Sequence, residues 1–322
     1  MKTVILDDWE EYMKNHPSLG RLQDFSDVTV YTDKPSFNEL ADRLQGVDTV
    51  IPIRERTRFT KELIEKLPDF KLIAQTGTGV AHLDMEALKQ ARIPVATTPG
   101  GSTGAVTELT FAYLLNLIKK VTATDRAMQN NAWPEIIGTN LKGKSLGIIG
   151  LGKIGRSVAN MAKAFGMNVM AWGPTLMEER ANTEGVQYTT LPNLLRLSDA
   201  VSLHVRLVPE TTHLLQEEHF AMMKPSAVLI NTSRGRVIKE QALIQALQNK
   251  EIAGAGLDVF EKEPLPSGHS FRNFENVLIT PHIGWKTEET FTNFLNGSID
   301  NIHQFFVNNE PQNIFNQEVL EK

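Results

Sequence analysis

Residues 145–155 read Ser-Leu-Gly-Ile-Ile-Gly-Leu-Gly-Lys-Ile-Gly, a short apolar run that ends in a G-x-G-x-x-G loop. Glycines at 150, 152 and 155 let a strand turn tightly, bring backbone close to a pyrophosphate and pack the following helix against the strand. The loop has the flanks it needs, a β-branched run before it and a helix-forming run after it. Its position constrains the chain as much as its spacing does. It lies near the middle of 322 residues, so a second structural unit must be built from the residues that precede it.

Short β-branched runs punctuate that preceding part, at 3–6, 28–31, 49–53, 71–75 and 94–97, with helix-like stretches such as 37–44 and 60–67 between them. A second set follows the alternation past the glycines, at 146–149, 168–172, 200–204, 227–231, 252–258 and 277–280. Its helical segments include 154–165, 191–195, 216–222 and 239–248. Strand–helix alternation predicts parallel sheets covered on both faces. The expected fold is therefore α/β with two doubly wound parallel-sheet domains. Two long amphipathic stretches, 106–126 and 287–307, fall at the joins, the second opening on a Thr with acids in its first turn. The second would carry the chain back to the first unit. A discontinuous substrate-binding domain (1–99 and 288–322) would then hold an inserted cofactor domain (100–287).

With 41% hydrophobic and 22% charged residues the chain has ordinary globular composition, and its formal charge of −5 argues against a nucleic-acid partner. The absence of cysteine excludes disulfides, thiolate metal sites and a cysteine nucleophile. No metal site is expected. The N-terminal apolar run is too short for a signal peptide, and no stretch is long enough to span a bilayer. The expectation is a cytoplasmic protein with no membrane partner.

In open α/β sheets ligands bind beyond the carboxyl ends of the strands. Arg234 follows Asn231-Thr232-Ser233 at one such end, Asp258 closes the next strand with Glu263 five residues on, and His282 follows Thr280-Pro281 after the last. An arginine offers a planar fork to a carboxylate, and a histidine exchanges a proton near neutral pH. A paired glutamate favours the imidazolium. Arg234, Glu263 and His282 thus form a candidate reaction set.

With these residues in hand, the chain resembles the D-isomer-specific 2-hydroxyacid dehydrogenases. The resemblance is carried by Thr76-Gly77-Thr78-Gly79 with Asp84, Thr98-Pro99-Gly100-Gly101 with Val106 and Glu108, and the loop Gly150, Gly152, Lys153, Ile154 and Gly155. Three further motifs complete it: Asn231-Thr232-Ser233-Arg234-Gly235, Leu257-Asp258-Val259-Phe260 running to Glu263-Pro264, and Thr280-Pro281-His282-Ile283-Gly284. It implies a Rossmann cofactor domain inserted into a smaller flavodoxin-like substrate domain, with hydride exchanged between NAD or NADP and a small 2-oxo or D-2-hydroxy acid. By the resemblance His282 would donate the proton to the carbonyl oxygen, Glu263 would orient and charge that histidine, and Arg234 would bind the substrate carboxylate. The backbone of Thr78, Gly79 and Val80 would meet the same carboxylate, in a cleft between the domains. Asp258 would hold the nicotinamide carboxamide, and Thr232 and His204 would line the cofactor near its ribose. The resemblance also implies a homodimer joined through the cofactor domains. Residues 106–126 and the loop 130–133 would form the contact, with Trp133 as its anchor unless that ring packs inside its own domain.

Several departures stand out. Gly173 replaces the acid that would bind the adenosine ribose, which leaves NAD and NADP both open, and Arg180 is the nearest arginine after it. Arg206 occupies a position where many relatives carry proline, and Trp285 is a bulky residue after the histidine motif that either lines the acid pocket or packs structurally. Arg54, Arg56 and Arg58 cluster after a strand of the first unit and could meet a substrate phosphate, which keeps D-3-phosphoglycerate dehydrogenase as an alternative. The expectation is instead glyoxylate, hydroxypyruvate or pyruvate. A second alternative is an NAD(H)-sensing, corepressor-like binding protein.

Overall fold

A computed structural model describes residues 1–321. The chain divides into two compact units, Met1–Gly101 with Lys286–Lys322, and Ser102–Trp285. In the first, strands β1 (Lys2–Leu6), β2 (Asp27–Val30), β3 (Thr49–Pro52), β4 (Leu72–Gln75) and β5 (Val95–Thr97) alternate with helices α1 (Leu19–Gln23), α2 (Phe37–Arg43), α3 (Lys61–Glu65) and α4 (Met85–Gln90). All neighbours are parallel, in the order β2-β1-β3-β4-β5, which is the flavodoxin-like doubly wound arrangement.

The second unit opens with α5 (Thr103–Lys119) and α6 (Val121–Gln129). It continues through β6 (Ser145–Ile149), α7 (Lys153–Ala164), β7 (Asn168–Trp172), α8 (Glu178–Thr183), β8 (Gln187–Tyr188) and α9 (Leu191–Leu197). The remaining elements are β9 (Ala200–Leu203), α10 (Glu217–Phe220), β10 (Val228–Asn231), α11 (Glu240–Gln248), β11 (Gly254–Leu257) and β12 (Val277–Ile279). Its seven strands are parallel in the order β12-β11-β10-β9-β6-β7-β8, with the order reversing at β6 as in the Rossmann fold. Alternate residues feed opposite faces: Leu229 and Ile149 join a layer with Leu194 and Ile244, while Ile230 and Ile148 join one with Leu114 and Val158. Each such fully buried aliphatic side chain stabilises the fold by about 1.5–3 kcal/mol, which is why these strands read as continuous apolar runs.

The single amphipathic stretch expected over 106–126 is two helices. Lys120 takes a left-handed conformation (φ 59°) that ends α5. Asn116 then stabilises the restart, accepting from the Thr122 amide at 2.9 Å and donating to its hydroxyl at 2.6 Å. Periodicity survives such a break, so the sequence pattern does not register it.

From the second unit the chain re-enters the first as α12 (Glu288–His303). Thr287 accepts from the Thr290 amide at 3.2 Å, and Glu288 and Glu289 complement the positive end of the helix. Its buried Phe294, Leu295 and Ile299 pack over β4 and β5. Asn301, also buried, donates to the Thr97 carbonyl at 3.0 Å. Residues 313–316 then cover the open edge of β5, with Phe315 N–H on Val95 O at 2.8 Å and Asn313 O on Thr97 N–H at 3.0 Å. Among the described residues no helix is long and apolar enough to cross a membrane.

The loop after β4, which contains Thr78, Gly79 and Val80, is braced from behind. Gln75 Nε2 donates to the carbonyls of Arg54 and Thr76, each at 3.0 Å. Its Oε1 must therefore accept, and it does so from His82 Nε2 at 3.1 Å. The other ring nitrogen of His82, Nδ1, is buried without a partner. Burial pushes the His82 pKa down to about 4. The unfolded chain takes up this proton near pH 6.5, the folded chain only near 4, so stability is lost progressively as pH falls between those values. His82→Gln should remove about 2 kcal/mol of the stability that the parent loses between pH 7 and pH 5. Urea unfolding at the two pH values measures this, and identical losses in both proteins would contradict a neutral buried imidazole.

Candidate active site

The glycine loop follows β6 directly. Gly150 adopts φ 100°, and a Cβ there would lie 2.7 Å from the His204 carbonyl group. A Cβ on Gly155 would fall 2.1 Å from Gly150 O, so only glycine lets α7 approach the strand end this closely. Gly152, by contrast, faces open space: nothing lies within 4 Å of a Cβ built there. The loop therefore presents an open cradle at the N-terminus of the 12-residue α7, whose first residues are Lys153 and Ile154. Such a cradle fits a dinucleotide pyrophosphate.

Gly173 lies just beyond β7 and is buried, with a Cβ there in ordinary contact with Leu176 Cβ (3.5 Å) and Gly150 Cα (3.7 Å). Arg180 is engaged locally, donating from Nη2 to Leu151 O at 2.6 Å. Across β6, the His204 amide donates to Ile149 O at 2.7 Å. The His204 ring shares a 2.9 Å hydrogen bond with Ser202 Oγ through Nε2, and burial pushes its pKa down to about 3. Arg206, two residues on, is exposed. Thr232 is buried with its hydroxyl 3.3 Å from that of Thr110.

At the edge formed by β10, β11 and β12, three loops are tied to one another. Asn231 Oδ1 accepts from the amide (3.0 Å) and hydroxyl (2.8 Å) of Ser233, while its Nδ2 donates to Arg234 O at 3.0 Å. The turn that carries Arg234 is thus set by one buried amide side chain. Gly235 completes it, since a Cβ would fall 1.9 Å from the carbonyl carbon of Phe260. The Arg234 guanidinium donates to Ser233 O at 2.8 Å. Glu263 accepts from the Phe260 amide at 3.0 Å on Oε1 and from His282 Nδ1 at 2.8 Å on Oε2. Burial alone would raise the Glu263 pKa. The His282 hydrogen bond and charge, the Phe260 amide and the Arg234 charge outweigh it and hold the carboxyl below its ordinary range.

His282 sits in the left-handed region (φ 55°), a conformation that costs a non-glycine residue about 1–2 kcal/mol. The compensation comes from Asp258, which is 1% exposed. Its Oδ2 accepts from the Gly284 amide and its Oδ1 from the Ile283 amide, both at 2.7 Å, and Oδ1 also accepts from the Thr280 hydroxyl. Burial nonetheless pushes the Asp258 carboxyl above its ordinary range. Three of its roughly four acceptor positions are filled from within the chain. Trp285, at the end of this loop, is buried.

Arg234, Glu263 and His282 are thus brought together on one strand edge, with Gly150, Gly152, Gly155, Gly173 and His204 grouped around β6 of the same sheet. Thr78, Gly79 and Val80 belong to the first unit. The three arginines read as one basic cluster do not act alike. Arg56 is 7% exposed at its side chain and forms a two-pronged pair with Glu10 (2.7 Å for each contact), its guanidinium 4.3 Å from the Trp9 ring centroid. Lys286 joins the same glutamate at 3.1 Å. Sequence reasoning passed over Asn231, Gln75 and His82. Only the N-T-S-R-G string hinted at the first, as an Asn-led turn. Among the described residues no three His, Asp or Glu side chains gather as metal ligands.

Residues 111–284 match the family model of the D-isomer specific 2-hydroxyacid dehydrogenase NAD binding domain. A glyoxylate reductase of Thermococcus litoralis is 36% identical over 310 residues, covering 93% of each chain. A D-3-phosphoglycerate dehydrogenase of Synechocystis is 37% identical over 79% of this chain and 46% of its own length. An acyclic imino acid reductase solved with NADPH and D-Arg superimposes with a TM-score of 0.84 at 31% identity, over 98% of this chain and 100% of the other. The chain belongs to the D-isomer-specific 2-hydroxyacid dehydrogenases, NAD(P)-dependent oxidoreductases that act on CH–OH donors.

Proposed function

We propose that the protein reduces a small 2-oxo acid of the glyoxylate, hydroxypyruvate or pyruvate type to its D-2-hydroxy acid. The observation that carries this reading is the 2.8 Å hydrogen bond between His282 Nδ1 and an ionised Glu263, beside the Arg234 guanidinium. With Nδ1–H committed to Glu263, Nε2 is the nitrogen left to exchange a proton. The nicotinamide, when bound, supplies the hydride to the carbonyl carbon. His282 Nε2–H gives its proton to the carbonyl oxygen, and Glu263 stabilises the imidazolium before transfer. Arg234 binds the substrate carboxylate and offsets charge that develops on the oxygen. The residues assigned to the cofactor are Gly150, Gly152, Lys153, Ile154 and Gly155 at the pyrophosphate, Gly173 at the adenosine ribose, and His204 and Thr232 along its path. Asp258 retains one acceptor position for the carboxamide.

Both prongs of the Arg56 guanidinium are engaged by Glu10, which takes this one arginine of the three away from a substrate phosphate and supports the small-acid reading to that extent. Screening 2-oxo acids with NADH and NADPH in parallel tests the substrate reading, and turnover of 3-phosphohydroxypyruvate alone would overturn it. His282→Asn should lower kcat by roughly 10²–10⁴-fold with cofactor affinity nearly intact. Arg234→Ala should cost roughly 10²–10³-fold in kcat/KM through both rate and substrate binding. Parent-like turnover in either variant would remove that residue from its role.

A Cβ at Gly173 meets only ordinary van der Waals contacts and the backbone there suits any residue, so Gly173→Asp should fold. Its carboxylate would weaken NADPH binding about tenfold (about 1.4 kcal/mol) and leave NADH binding unchanged or improved. Fluorescence titration of both nucleotides is the check, and an unchanged NADPH affinity would place residue 173 away from the ribose.

We further propose a homodimer through the cofactor domain. Val121, Met128, Trp133 and Ile137 are all exposed there, Trp133 at 82% and Ile137 at 92%, a spacing of large apolar groups that marks an interaction surface. Trp133→Glu should shift the sedimentation coefficient from dimer to monomer. A parent that sediments as a monomer would refute the assignment.

A further inference from the structure

Tyr113 reads in the sequence as one more apolar residue in the stripe of a long helix, and nothing in the proposed chemistry uses it. Tyr113 is 4% exposed, and its side chain packs against β11 at Gly256, where an added Cβ would fall 2.7 Å from Tyr113 Cβ and Cγ. Its hydroxyl is 3.1 Å from Leu257 O and in hydrogen-bond contact with Thr280 Oγ1. A phenol inside a core needs a partner, and the partners here belong to the two strand ends from which Asp258 and His282 project.

Counting protons fixes the direction of these bonds. The Thr280 hydroxyl has one proton, and it goes to Asp258 Oδ1. Thr280 Oγ1 can therefore only accept from Tyr113, whose own proton is shared between Thr280 and the nearby Leu257 carbonyl. The result is two successive donations, Tyr113 O–H to Thr280 and Thr280 O–H to Asp258, ending on a carboxylate that also accepts from the amides of Ile283 and Gly284. Those two amides belong to the residues that follow His282. The groups facing Asp258 are therefore Thr280, the two amides and the His282 ring, whose charge favours the ionised carboxylate.

We propose that Tyr113 is a positioning residue for the proton-transfer histidine, acting at one remove by fixing the orientation of the Thr280 hydroxyl, which holds the Asp258 carboxylate in place against the 280–284 loop. Without the Tyr113 donor the Thr280 hydroxyl is no longer held in one orientation, and Asp258 loses the steady third donor that sets the direction in which its carboxylate meets the two amides. The loop must hold a left-handed His282 against its own preference, and its hold is sensitive to that loss. This inference rests on the reading of His282 as proton donor.

The test uses the intact protein and the variants Tyr113→Phe, Thr280→Val and their combination. Tyr113→Phe keeps the ring on Gly256 and deletes only the donor. Two readouts are taken. Amide hydrogen exchange at Ile283 and Gly284 should speed up at least fivefold in Tyr113→Phe, with exchange in β6 and β10 unchanged. Reduction of the best 2-oxo acid should show kcat lowered about five- to tenfold, with KM and cofactor Kd within twofold of the parent. In the double variant the kcat loss should equal that of Thr280→Val alone, because both deletions cut the same series. A phenol that merely fills space would leave exchange at 283 and 284 unchanged, or would give losses that multiply with those of Thr280→Val. Either result overturns the inference, as does accelerated exchange with parent-like kcat. If the parent reduces no 2-oxo acid at all, the functional reading fails, and exchange at the two amides alone then decides whether Tyr113 holds the loop.

Discussion

One buried carboxylate organises the chemistry of this protein. Asp258 closes β11 and gathers two amides and a hydroxyl from the loop that follows β12. Without those acceptors the Ile283 and Gly284 amides would be left unpaired, and His282 would have no reason to stay left-handed. With them, the imidazole is aimed so that Nδ1 meets Glu263, which in the proposed reading leaves the opposite nitrogen for a substrate. The cost of burying Asp258 shows in its raised pKa. The three donors offset that cost and convert it into a fixed direction for one ring.

The same economy governs the neighbouring loops. Asn231 uses both ends of its amide to close the turn that presents Arg234, and the missing side chain of Gly235 lets that turn press against Phe260. The Phe260 amide in turn holds Glu263. Each group at the edge is thus oriented by a neighbour from another loop, which is how a fixed hydrogen-bond set keeps an acid, a base and a cation at usable angles. On the far side of β6 the logic inverts. There Gly150 and Gly155 let backbone pack closely and Gly152 leaves space open, which in the proposed reading lets backbone rather than side chains meet the nucleotide phosphates.

The parallel sheets were legible because both faces of each are buried, which forces unbroken apolar runs such as Leu146–Ile149 between helical periods. The candidate chemistry was legible for a related reason. Arg234, Glu263 and His282 all stand at or just beyond strand ends, and in a doubly wound sheet the strand ends share one edge. Other features left no mark of this kind. The break at Lys120 keeps the apolar period of the helices on either side, so only the backbone reveals it. Gln75 and His82 read as ordinary polar residues, since their pairing follows from a loop that doubles back over seven positions. Tyr113 reads as core because most of its surface is core. The three arginines after β3 looked alike in a string, and the Glu10 that distinguishes Arg56 comes from the far end of the unit.

The order of residues alone determined the class of fold, the place of the nucleotide cradle and the types of group available for hydride chemistry. These depend on short-range patterns: alternation, helical period and a turn that only glycine can make. The pairing of Glu263 with the histidine was already expected from the family resemblance, whereas tertiary structure alone decided that Asp258 would pin its loop. Both are acids near the end of one strand, Asp258 and Glu263, and nothing in their spacing separates the two tasks. Burial separates them. Asp258 lies where three internal donors converge and has become a structural anchor, whereas Glu263 faces the imidazole and shares its charge. Convergence of donors from distant segments is a property of the packed chain, and no local pattern encodes it.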